Sequence, residues 1–530
     1  MSPSAPRRRR RWILIALAAV VVILGAGVGY VLLHEPGNVS NPDVEFRAEP
    51  TTTPLPEQTP RRKDRKGRLV DDFTWATYGY SPDRRRALDV PRSLRPPFRK
   101  LWTFNGRVLL EFPPVMEGNW LYILKDNGRI NAINKRTGNV RWAKEVGELA
   151  ASSPAIRDGR LYLTVLERRL GSGGRALAMN ASTGKVLWSR PLPSRTESSP
   201  VVAGGAVYFG SENGTVYALR ESDGGVRWTY KAAGPVKGGL ALNDGKLYFG
   251  DYAGRMYAVR AATGKLAWQA KTQGARFGFA SGRFYATPSV AYGRVYSGNV
   301  DGYVYSFSER TGKLAWRTKT AGYVYSSAAV GAAPGDKPTV YVGSYDGTFY
   351  AMDARSGKIR WRFGGGSKIS GGATLLGDIV YFSDLGHRRT LGLGARTGRK
   401  MFEYPRGGYN PVITDGQTLF LVGYGAMYAL RPLSAVQERK VAKRKKARAQ
   451  TVRDRRRAAA RRDARLVEAC RGRAARLHSA DGPRIRSFRR CVARRRAAGT
   501  RRACARIARE AHDTRAERRR SVRRCVARNR

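Results

Sequence analysis

The chain has 530 residues, and its 99 Lys and Arg against 40 Asp and Glu give a formal net charge of +59. An apolar content of 42% is too high for a chain that is disordered throughout, and 60 Gly with 26 Tyr and 10 Trp favour short strands and tight turns over a helical bundle. All four cysteines follow residue 469, which excludes a disulfide framework or a cysteine metal site from most of the chain.

Residues 12–33 predict a transmembrane helix. This uncharged segment follows five arginines, and residues 1–11 are expected to be a basic cytoplasmic segment. At a rise of 1.5 Å per residue such a helix spans a hydrocarbon core of roughly 30 Å. The positive-inside bias places everything after residue 33 outside, in a single-pass protein of the cell membrane. The alternative is a signal peptide that is cleaved near residues 25–27.

Residues 34–97 are predicted to be an extracytoplasmic linker and leader. The Pro- and Thr-rich stretches 36–43 and 49–60 should be extended and uncollapsed. Residues 71–86 contain Trp75, Tyr78 and Tyr80 and are expected to be more ordered, packing against the domain that follows.

Residues 98–431 are an array of units about forty residues long. Each unit splits into four short runs of β-branched and aromatic residues that are separated by Gly, Asn and Asp, which is typical of strands joined by tight turns. An aromatic residue recurs in the second run of eight units: Tyr122, Tyr162, Tyr208, Tyr248, Tyr296, Tyr341, Tyr381 and Phe420. The pattern predicts an all-β fold, an eight-bladed β-propeller with four-stranded antiparallel blades.

The two ends of the array predict that the ring closes. The array begins with an isolated fourth strand, residues 99–104, and ends with three strands and no closing Trp. The first strand can complete the last blade and remove the free sheet edge. An open solenoid is the alternative, although it would not need the isolated strand.

The turn before the fourth strand carries a family resemblance. The stretches AVRAATGKLAW (258–268) and AMDARSGKIRW (351–361) resemble the Ala-x-Asp-x-x-Thr-Gly-x-x-x-Trp signature of PQQ-like propeller repeats. These repeats occur in the propeller lipoprotein of the outer-membrane β-barrel assembly machinery and in quinoprotein alcohol dehydrogenases. The resemblance implies that each Trp packs against the Ala and Gly of neighbouring blades. The structural residues so assigned are Trp102, Trp142, Trp188, Trp228, Trp268, Trp316 and Trp361, with Gly138, Gly184, Gly224, Gly264, Gly312 and Gly357 at the turns.

The seventh unit departs from the signature. Phe402 replaces the Trp, and Leu393 is taken to stand where Ala is usual, so this blade is expected to be looser.

The chain lacks part of what the dehydrogenases need. The resemblance implies a quinone held between a Trp and an adjacent cysteine pair, with Ca²⁺ on Glu, Asn and Asp, yet no cysteine precedes Cys470. Glu111 and Glu197 are expected to face the central channel, and three aspartates recur in turns, where Asp mainly accepts from backbone amides: Asp251, Asp301 and Asp346. No catalytic, cofactor-binding or metal-binding residue is predicted. The alternative is a PQQ- and Ca²⁺-dependent oxidoreductase with an atypical pocket.

Inserted loops favour a binding scaffold instead. Insertions in blades 2 and 5 and a His-Arg-Arg sequence in blade 7 should share one face, because fourth-to-first and second-to-third connections emerge together. The candidate rim for an unknown protein partner comprises Arg168, Arg169, Arg175, Arg276, Phe277, Phe279, Arg283, Phe284, Tyr285, His387, Arg388 and Arg389. The alternative is a set of solvated loops, with Phe277 and Phe284 packed onto the sheet.

The tail is a second module. Residues 432–469 are rich in Arg and Ala and predict an exposed helix or disorder. Residues 470–530 hold a duplication in which Cys470, Cys491, Cys504 and Cys525 form two Cys-x20-Cys units, and a break at 479–483 predicts that the first unit folds back as a helical hairpin. Outside the cell the facing cysteines should form the disulfides Cys470–Cys491 and Cys504–Cys525. A Cys₂His zinc site in each unit is the rival, although it lacks a fourth ligand.

The charge of the tail indicates an anionic partner. Residues 431–530 hold 37 Lys and Arg against 8 Asp and Glu. Outside a cell the candidates are anionic envelope polymers and lipid headgroups. Nucleic acid fits the charge but conflicts with the topology, and a solvated extension without a partner is the other alternative.

Overall fold

The computed structural model describes residues 16–22, 37–48, 53–54, 73–168, 173–272, 282–477, 481–511 and 526. The chain divides into two compact units, Met1–Leu433 and Ser434–Arg530. Within the described residues the first unit contains eight β-sheets, each built on four antiparallel strands, and the innermost strands contact one another between blades 1, 2 and 3 and between blades 4, 5, 6 and 7. The predicted eight-bladed propeller is therefore confirmed.

Strand order in blades 1–7 follows the chain from the channel outward. The strands are, blade by blade, Val115–Glu117, Trp120–Leu124, Arg129–Asn134, Val140–Glu145; Ala155–Arg157, Arg160–Leu166, Gly174–Asn180, Val186–Leu192; Val201–Ala203, Ala206–Gly210, Thr215–Arg220, Val226–Lys231; Ala241–Asn243, Lys246–Gly250, Arg255–Arg260, Leu266–Lys271; Ser289–Ala291, Arg294–Gly298, Tyr303–Ser308, Leu314–Lys319; Ala329–Gly331, Thr339–Gly343, Thr348–Asp353, Ile359–Gly364; Thr374–Leu376, Ile379–Asp384, Arg389–Gly394, Lys400–Tyr404.

Blade 8 joins the two ends of the array. Its strands are Ile413–Thr414, Leu419–Val422, Ala426–Pro432 and Phe98–Asn105. Ala429 pairs with Trp102, which gives the first strand the place of a fourth strand, as predicted. Because the N-terminal strand completes the sheet formed by the last three strands, the ring closes between the two ends of the array.

Seven of the eight blades are tied to the next through a tryptophan of the fourth strand, and blade 7 carries Phe402 at that place. The indole of the fourth strand lies on the turn glycine of the following blade, where a Cβ on Gly138 would meet Trp102 Cδ2 at 2.8 Å. The indole Nε1 of all seven tryptophans donates to a backbone carbonyl of that turn at 2.9–3.1 Å. These contacts agree with the packing that the resemblance implies, and they extend to Trp361 and Gly398.

The seventh blade corrects one sequence assignment. Phe402 pairs with Gly392, as Trp268 pairs with Ala258, so Gly392 rather than Leu393 occupies the alanine position. A Cβ on Gly392 would meet Tyr381 Cε1 at 2.8 Å, and Phe402 packs edge-on against Phe98, 5.3 Å between centroids. The absent indole is thus replaced by a local aromatic cluster.

Part of the predicted linker packs on the propeller. Val39–Ser40 adds a fifth strand to blade 5, with Ser40 opposite Trp316. The buried Arg294 donates to the carbonyls of Val44 and Glu45, and Phe46 stacks on Tyr292 at 5.5 Å. The expectation of an uncollapsed stretch at 36–43 is therefore wrong for its described residues, because backbone pairing to an exposed strand edge compensates for the low apolar content.

The segment 73–89, here termed the axial segment, crosses the inner ends of the blades. Thr74–Trp75 pairs with the first strand of blade 1, and Ala87–Asp89 pairs in parallel with that of blade 7. Between them, carbonyls of the segment accept first-strand amides of blades 2, 4, 5 and 6 at 2.8 Å, and the hydroxyl of Thr77 donates to Pro200 beside blade 3. The leader is thus ordered, as expected, and it satisfies inner-strand amides that would otherwise face the channel.

The tail unit contains a helical hairpin. Its helices are Ala435–Leu477 and Asp481–Ala511. The disulfide Cys470–Cys491 and the ion pair between Asp463 and Arg496, 2.6 Å, join them. The first predicted hairpin is confirmed, and one continuous helix runs across residues 469–470. Cys504 is also disulfide-bonded, whereas Cys525 lies outside the described residues.

The predicted transmembrane segment falls mostly outside the described residues. Residues 16–22 within it are helical. No helix in the described part of the chain is long and apolar enough to cross a membrane.

Candidate functional site

The loops between second and third strands and those between blades share one face, here termed the loop face. In blade 1 the amide of Val146 donates to Gly128 across these two loops at 2.9 Å. In blade 3 the amide of Ala232 makes the same bond to Gly214 at 2.8 Å. The described rim residues lie in these loops or at the ends of the adjoining strands, where Arg175 belongs to Gly174–Asn180 and Arg389 begins Arg389–Gly394.

The described rim residues of blades 2 and 5 differ in exposure. Arg168 and Arg175 are exposed. Arg283 is exposed as well, and its guanidinium lies 5.5 Å from the ring centroid of Tyr252. Phe284 is fully buried between blades 4 and 5, so it packs in the core, as the alternative interpretation has it, and does not belong to an exposed rim. Four further rim candidates lie outside the described residues: Arg169, Arg276, Phe277 and Phe279.

The blade 7 loop is organised by a buried carboxylate. Asp384 is fully buried and accepts from His387 Nδ1 at 2.8 Å and from Arg389 Nε at 3.2 Å. Arg388 projects instead over the ring of Tyr424, 4.3 Å from its centroid. Arg388 is therefore the residue of this loop that is free of the Asp384 network.

A cavity of about 260 Å³ opens in the centre of the loop face, and we term it the central cavity. Tyr78 of the axial segment contributes to its lining, together with Glu111 and Glu197, which the sequence predicted to face the channel. Tyr285, predicted for the rim, lines the cavity and its hydroxyl lies 3.4 Å from Glu197 Oε2. The expected channel carboxylates are thus brought together with aromatic residues.

One repeat position supplies seven of the sixteen residues in this lining. It lies four residues before the first strand of each blade, where the chain enters the channel. The eight residues there are Glu111, Ala151, Glu197, Lys237, Tyr285, Tyr325, Ser370 and Tyr409, and all but Ala151 line the cavity. From the sequence, the two glutamates were assigned to the channel and Tyr285 to the rim. Aligning all eight units at this position would have found Lys237, Tyr325 and Tyr409 as well.

Among the charged residues at this repeat position, Lys237 and Glu197 neutralise each other. Lys237 Nζ lies 2.8 Å from Glu197 Oε1 and 2.9 Å from Glu212 Oε1. Burial and the neighbouring Glu212 raise the pKa of Glu197, against the lowering effect of Lys237. Lys237 is therefore already engaged by two carboxylates and is not available as a free cation.

Glu111 differs from Glu197 in having no such partner. Within the described part of the chain no cation lies at ion-pair distance from its carboxylate, and no hydrogen bond to it is formed there. Burial, with smaller contributions from Glu197 and Asp126, raises its pKa to about 7. A carboxyl group that is half-ionised at neutral pH thus lies in the wall of the cavity.

The aromatic part of the cavity lies in blades 5 and 6. The rings of Tyr285 and Tyr325 are 5.5 Å apart, and Tyr325 contacts Tyr345 at 4.7 Å. Tyr345 comes from a second-to-third-strand loop, so both classes of loop contribute to the wall.

The recurring aspartates serve the turns, as expected. Asp251 accepts from the amides of Arg255 and Gly234 and from the hydroxyl of Tyr257. Asp301 and Asp346 likewise accept from backbone amides in their loops. Among the described residues no group of three or more His, Cys, Asp or Glu is placed to hold a metal ion.

Two buried arginines of the axial segment were not found from the sequence. Arg84 donates to the carbonyls of Leu240, Ser199 and Pro200 at 2.9–3.2 Å. Arg86 stacks on Tyr78, 4.4 Å from the ring centroid. A run of three arginines usually indicates a solvated surface, and nothing in its spacing predicts burial at a propeller axis.

The fold and the repeats define a PQQ-like β-propeller. The profile of the family described as outer membrane protein assembly factor BamB matches residues 93–237, 168–302, 212–330 and 300–482, and the chain belongs to this family. No curated protein sequence matches the chain.

Solved structures share the fold at low identity. BamB from Moraxella catarrhalis is 17% identical with a TM-score of 0.52, covering 63% of this chain and 99% of its own. Quinohemoprotein alcohol dehydrogenase ADHIIG from Pseudomonas putida HK5 is 14% identical with a TM-score of 0.56, covering 68% and 80%. A europium-containing methanol dehydrogenase is 13% identical with a TM-score of 0.56, covering 68% and 98%. The solved structures that share this fold thus include an assembly factor and two enzymes.

Proposed function

We propose that this chain is a membrane-anchored, extracytoplasmic interaction scaffold whose propeller binds a protein partner through its loop face. The observation that carries the proposal is the axial segment, which occupies the inner ends of the blades with the chain's own residues. Membership of the BamB family supports a protein partner, since that family is described as an assembly factor. The exposed partner-binding side chains are Arg388 and Tyr424 with Tyr323, which is 53% exposed.

The lining of the central cavity supports a non-catalytic function. Pyrroloquinoline quinone carries three carboxylates, whereas the lining presents Glu111 and Glu197 against one lysine that is already bonded to two carboxylates. The described lining contains neither tryptophan nor cysteine to enclose the quinone. These residues do not fit that cofactor, and we derive no reaction through it.

The tail supports the proposed location. A disulfide between its helices is stable in an oxidising compartment, which agrees with a tail outside the cytoplasm. The helix predicted at 12–33 would anchor the chain, and the basic tail would bind anionic envelope polymers or lipid headgroups. Trypsin added to intact cells should then cleave the Arg-rich tail. Full protection of the tail, with cleavage only after lysis, would contradict this topology.

Crosslinking tests the scaffold proposal. A photoreactive residue at Tyr323 or Arg388 should form a discrete protein adduct in cells, whereas one at Val140, which is 46% exposed on the outer strand of blade 1, should not. The same purified chain, supplied with PQQ, Ca²⁺, an alcohol and a dye acceptor, should give no dye reduction. Equal adducts at all three positions, or turnover of the dye, would overturn the proposal.

A further inference from the structure

The central cavity has a chemistry that neither the family nor the proposed scaffold function assigns. In a protein with a net charge of +59 its wall carries a carboxylate, Glu111, that no described cation partners. Charged groups inside proteins are ordinarily paired, so an unpaired carboxylate at a cavity wall indicates a place for a missing positive charge.

The other wall of the cavity suits a cation as well. Tyr285, Tyr325 and Tyr345 form a contiguous aromatic surface, with centroids 5.5 Å and 4.7 Å apart, and Tyr409 lines the cavity from blade 8. The faces of such rings attract ammonium groups at up to about 6 Å from the centroid. An aromatic wall together with one carboxylate is a combination that favours an organic cation over a metal ion, which prefers several oxygens.

Two tyrosines in or beside the cavity already hold cations, and one of them is Tyr345 of the aromatic wall. Lys368 lies 5.5 Å from the centroid of Tyr345, and Arg283 lies 5.5 Å from that of Tyr252. The fully buried Arg86 contacts Tyr78 and is not part of the cavity lining, so it does not neutralise Glu111 directly.

We infer that the central cavity binds an alkylammonium group, whose charge pairs with Glu111 and whose carbon substituents pack against Tyr285 and Tyr325. A cavity of about 260 Å³ is small for a drug-sized ligand and suits a simple amine or one lysine side chain. The inference does not depend on membrane anchoring or on a partner at the rim, so its failure would leave the scaffold proposal standing.

The titration of Glu111 gives the site a pH dependence. The charged and titratable groups around it are Glu197, Asp126, Lys237, Tyr285 and Tyr409. A bound ammonium stabilises the ionised carboxylate, so association should strengthen as the pH rises from 6 to 8, and binding at pH 6 should release a proton to the buffer.

Calorimetric titration of the purified full chain tests the inference. Tetramethylammonium, 1,5-diaminopentane and a lysine-containing peptide are the probes, and benzene-1,3,5-tricarboxylate is the anionic control. At least one amine should bind with 1:1 stoichiometry. Glu111→Gln should weaken it by about tenfold or more, whereas Glu145→Gln, the same change at an exposed site in blade 1, should not weaken it.

The arms of the titration distinguish the source of the ammonium group. Binding of the free amines indicates a small-molecule ligand, and binding of the peptide alone indicates a lysine side chain of a protein; both support the inference. It is overturned if no amine probe binds, if the tricarboxylate or Ca²⁺ binds in their place, or if the two glutamine variants weaken binding equally. Tyr325→Leu provides a second check, because it removes an aromatic face and should also weaken binding.

Discussion

A turn glycine in each of blades 1–7 lets the tryptophan of the preceding blade lie against bare backbone. Glycine is required at a turn either by a left-handed backbone or by the close approach of another residue, and two glycines of blade 4 separate these two reasons. Gly264 has φ +71° and a Cβ there would lie 2.6 Å from Trp228 Cε3, whereas Gly245 has φ +66° and open space around it. Only the first position combines a left-handed backbone with a close approach.

Alanine at these positions should therefore differ in effect. Gly245→Ala should lower the free energy of unfolding by about 1 kcal/mol, the cost of a left-handed alanine. Gly264→Ala should cost roughly 1–3 kcal/mol more, because the indole of Trp228 must also move. Urea midpoints of the two variants measure the difference. Equal midpoints would show that the tryptophan contact contributes nothing to blade packing.

Glu111 makes the stability of the propeller depend on pH. Its pKa is raised from 4.5 to about 7, so the folded state holds a proton more tightly than the unfolded state between these values. The stabilising contribution is complete below about pH 4.5 and is lost as the pH rises through 7. The ionised carboxylate then remains in the cavity wall at a cost.

Glu111→Gln, which cannot ionise, should remove this dependence. At pH 8 the variant should be more stable than the parent chain by roughly 1–2 kcal/mol, and at pH 5 the two should be alike. Thermal melts at the two pH values, in an amine-free buffer, provide the measurement. A variant that is less stable at pH 8 would contradict the raised pKa.

At the scale of elements, the axial segment contacts the inner edges of blades 1–7 and so joins them through one continuous stretch of chain. Its carbonyls and side chains reach the blades in chain order, from the first strand of blade 1 to that of blade 7. Arg84 is fully buried in this interface. Its guanidinium donates to the carbonyl of Pro200, before blade 3, and to that of Leu240, before blade 4. The segment therefore acts as a structural part of the ring, although its composition is that of a surface loop.

Arg84→Met should destabilise the propeller. The change keeps the side-chain volume but leaves the carbonyls of Leu240, Ser199 and Pro200 without their donor, at a cost of about 3 kcal/mol or more. Arg85→Met is the matched control, since Arg85 pairs with Asp83 at the partly exposed side of the same turn and should cost less than 1 kcal/mol. If both variants unfold at the same denaturant concentration, the axial segment does not hold the blades.

At the scale of the whole molecule, charge is distributed between two units. Residues 434–530 hold 36 of the 99 Lys and Arg with 8 of the 40 Asp and Glu, and their two described helices expose most of their described side chains. An exposed basic hairpin attracts anionic polymers through long-range forces that salt screens, with a Debye length of about 10 Å at 0.1 M and 3 Å at 1 M.

The full chain should therefore bind immobilised polyphosphate more strongly than a chain that ends at Leu433, the boundary between the two compact units. It should elute at a higher salt concentration in a gradient, and the difference should persist when the Cys470–Cys491 disulfide is reduced, because the charge remains. Elution of both chains at the same salt concentration would assign the polyanion affinity to the propeller.

The sequence by itself determined the number of blades, the closing strand, the tryptophan–glycine contacts and the first tail hairpin. The blades and the closing strand follow from periodicity, since a residue that recurs with each unit has the same neighbours in every blade. The tryptophan–glycine contacts were implied by the family resemblance, and the hairpin by the cysteine spacing and the break at 479–483. The assignment of Gly392 to the alanine position was missed because a shift of one residue in register leaves little trace in the sequence. The packing of residues 37–48 on the propeller was missed because one short strand on an existing sheet edge leaves little trace in composition.

Only the tertiary structure decided which contacts the residues at the recurring channel position make with one another at the axis. Glu111, Lys237 and Tyr325 are separated by more than eighty residues from one to the next, and closure of the ring brings them to one cavity. The burial of Arg84 and Phe284 was likewise decided by what surrounds them. Periodicity determines local structure because it depends on near neighbours, whereas a cavity depends on the simultaneous position of all eight blades.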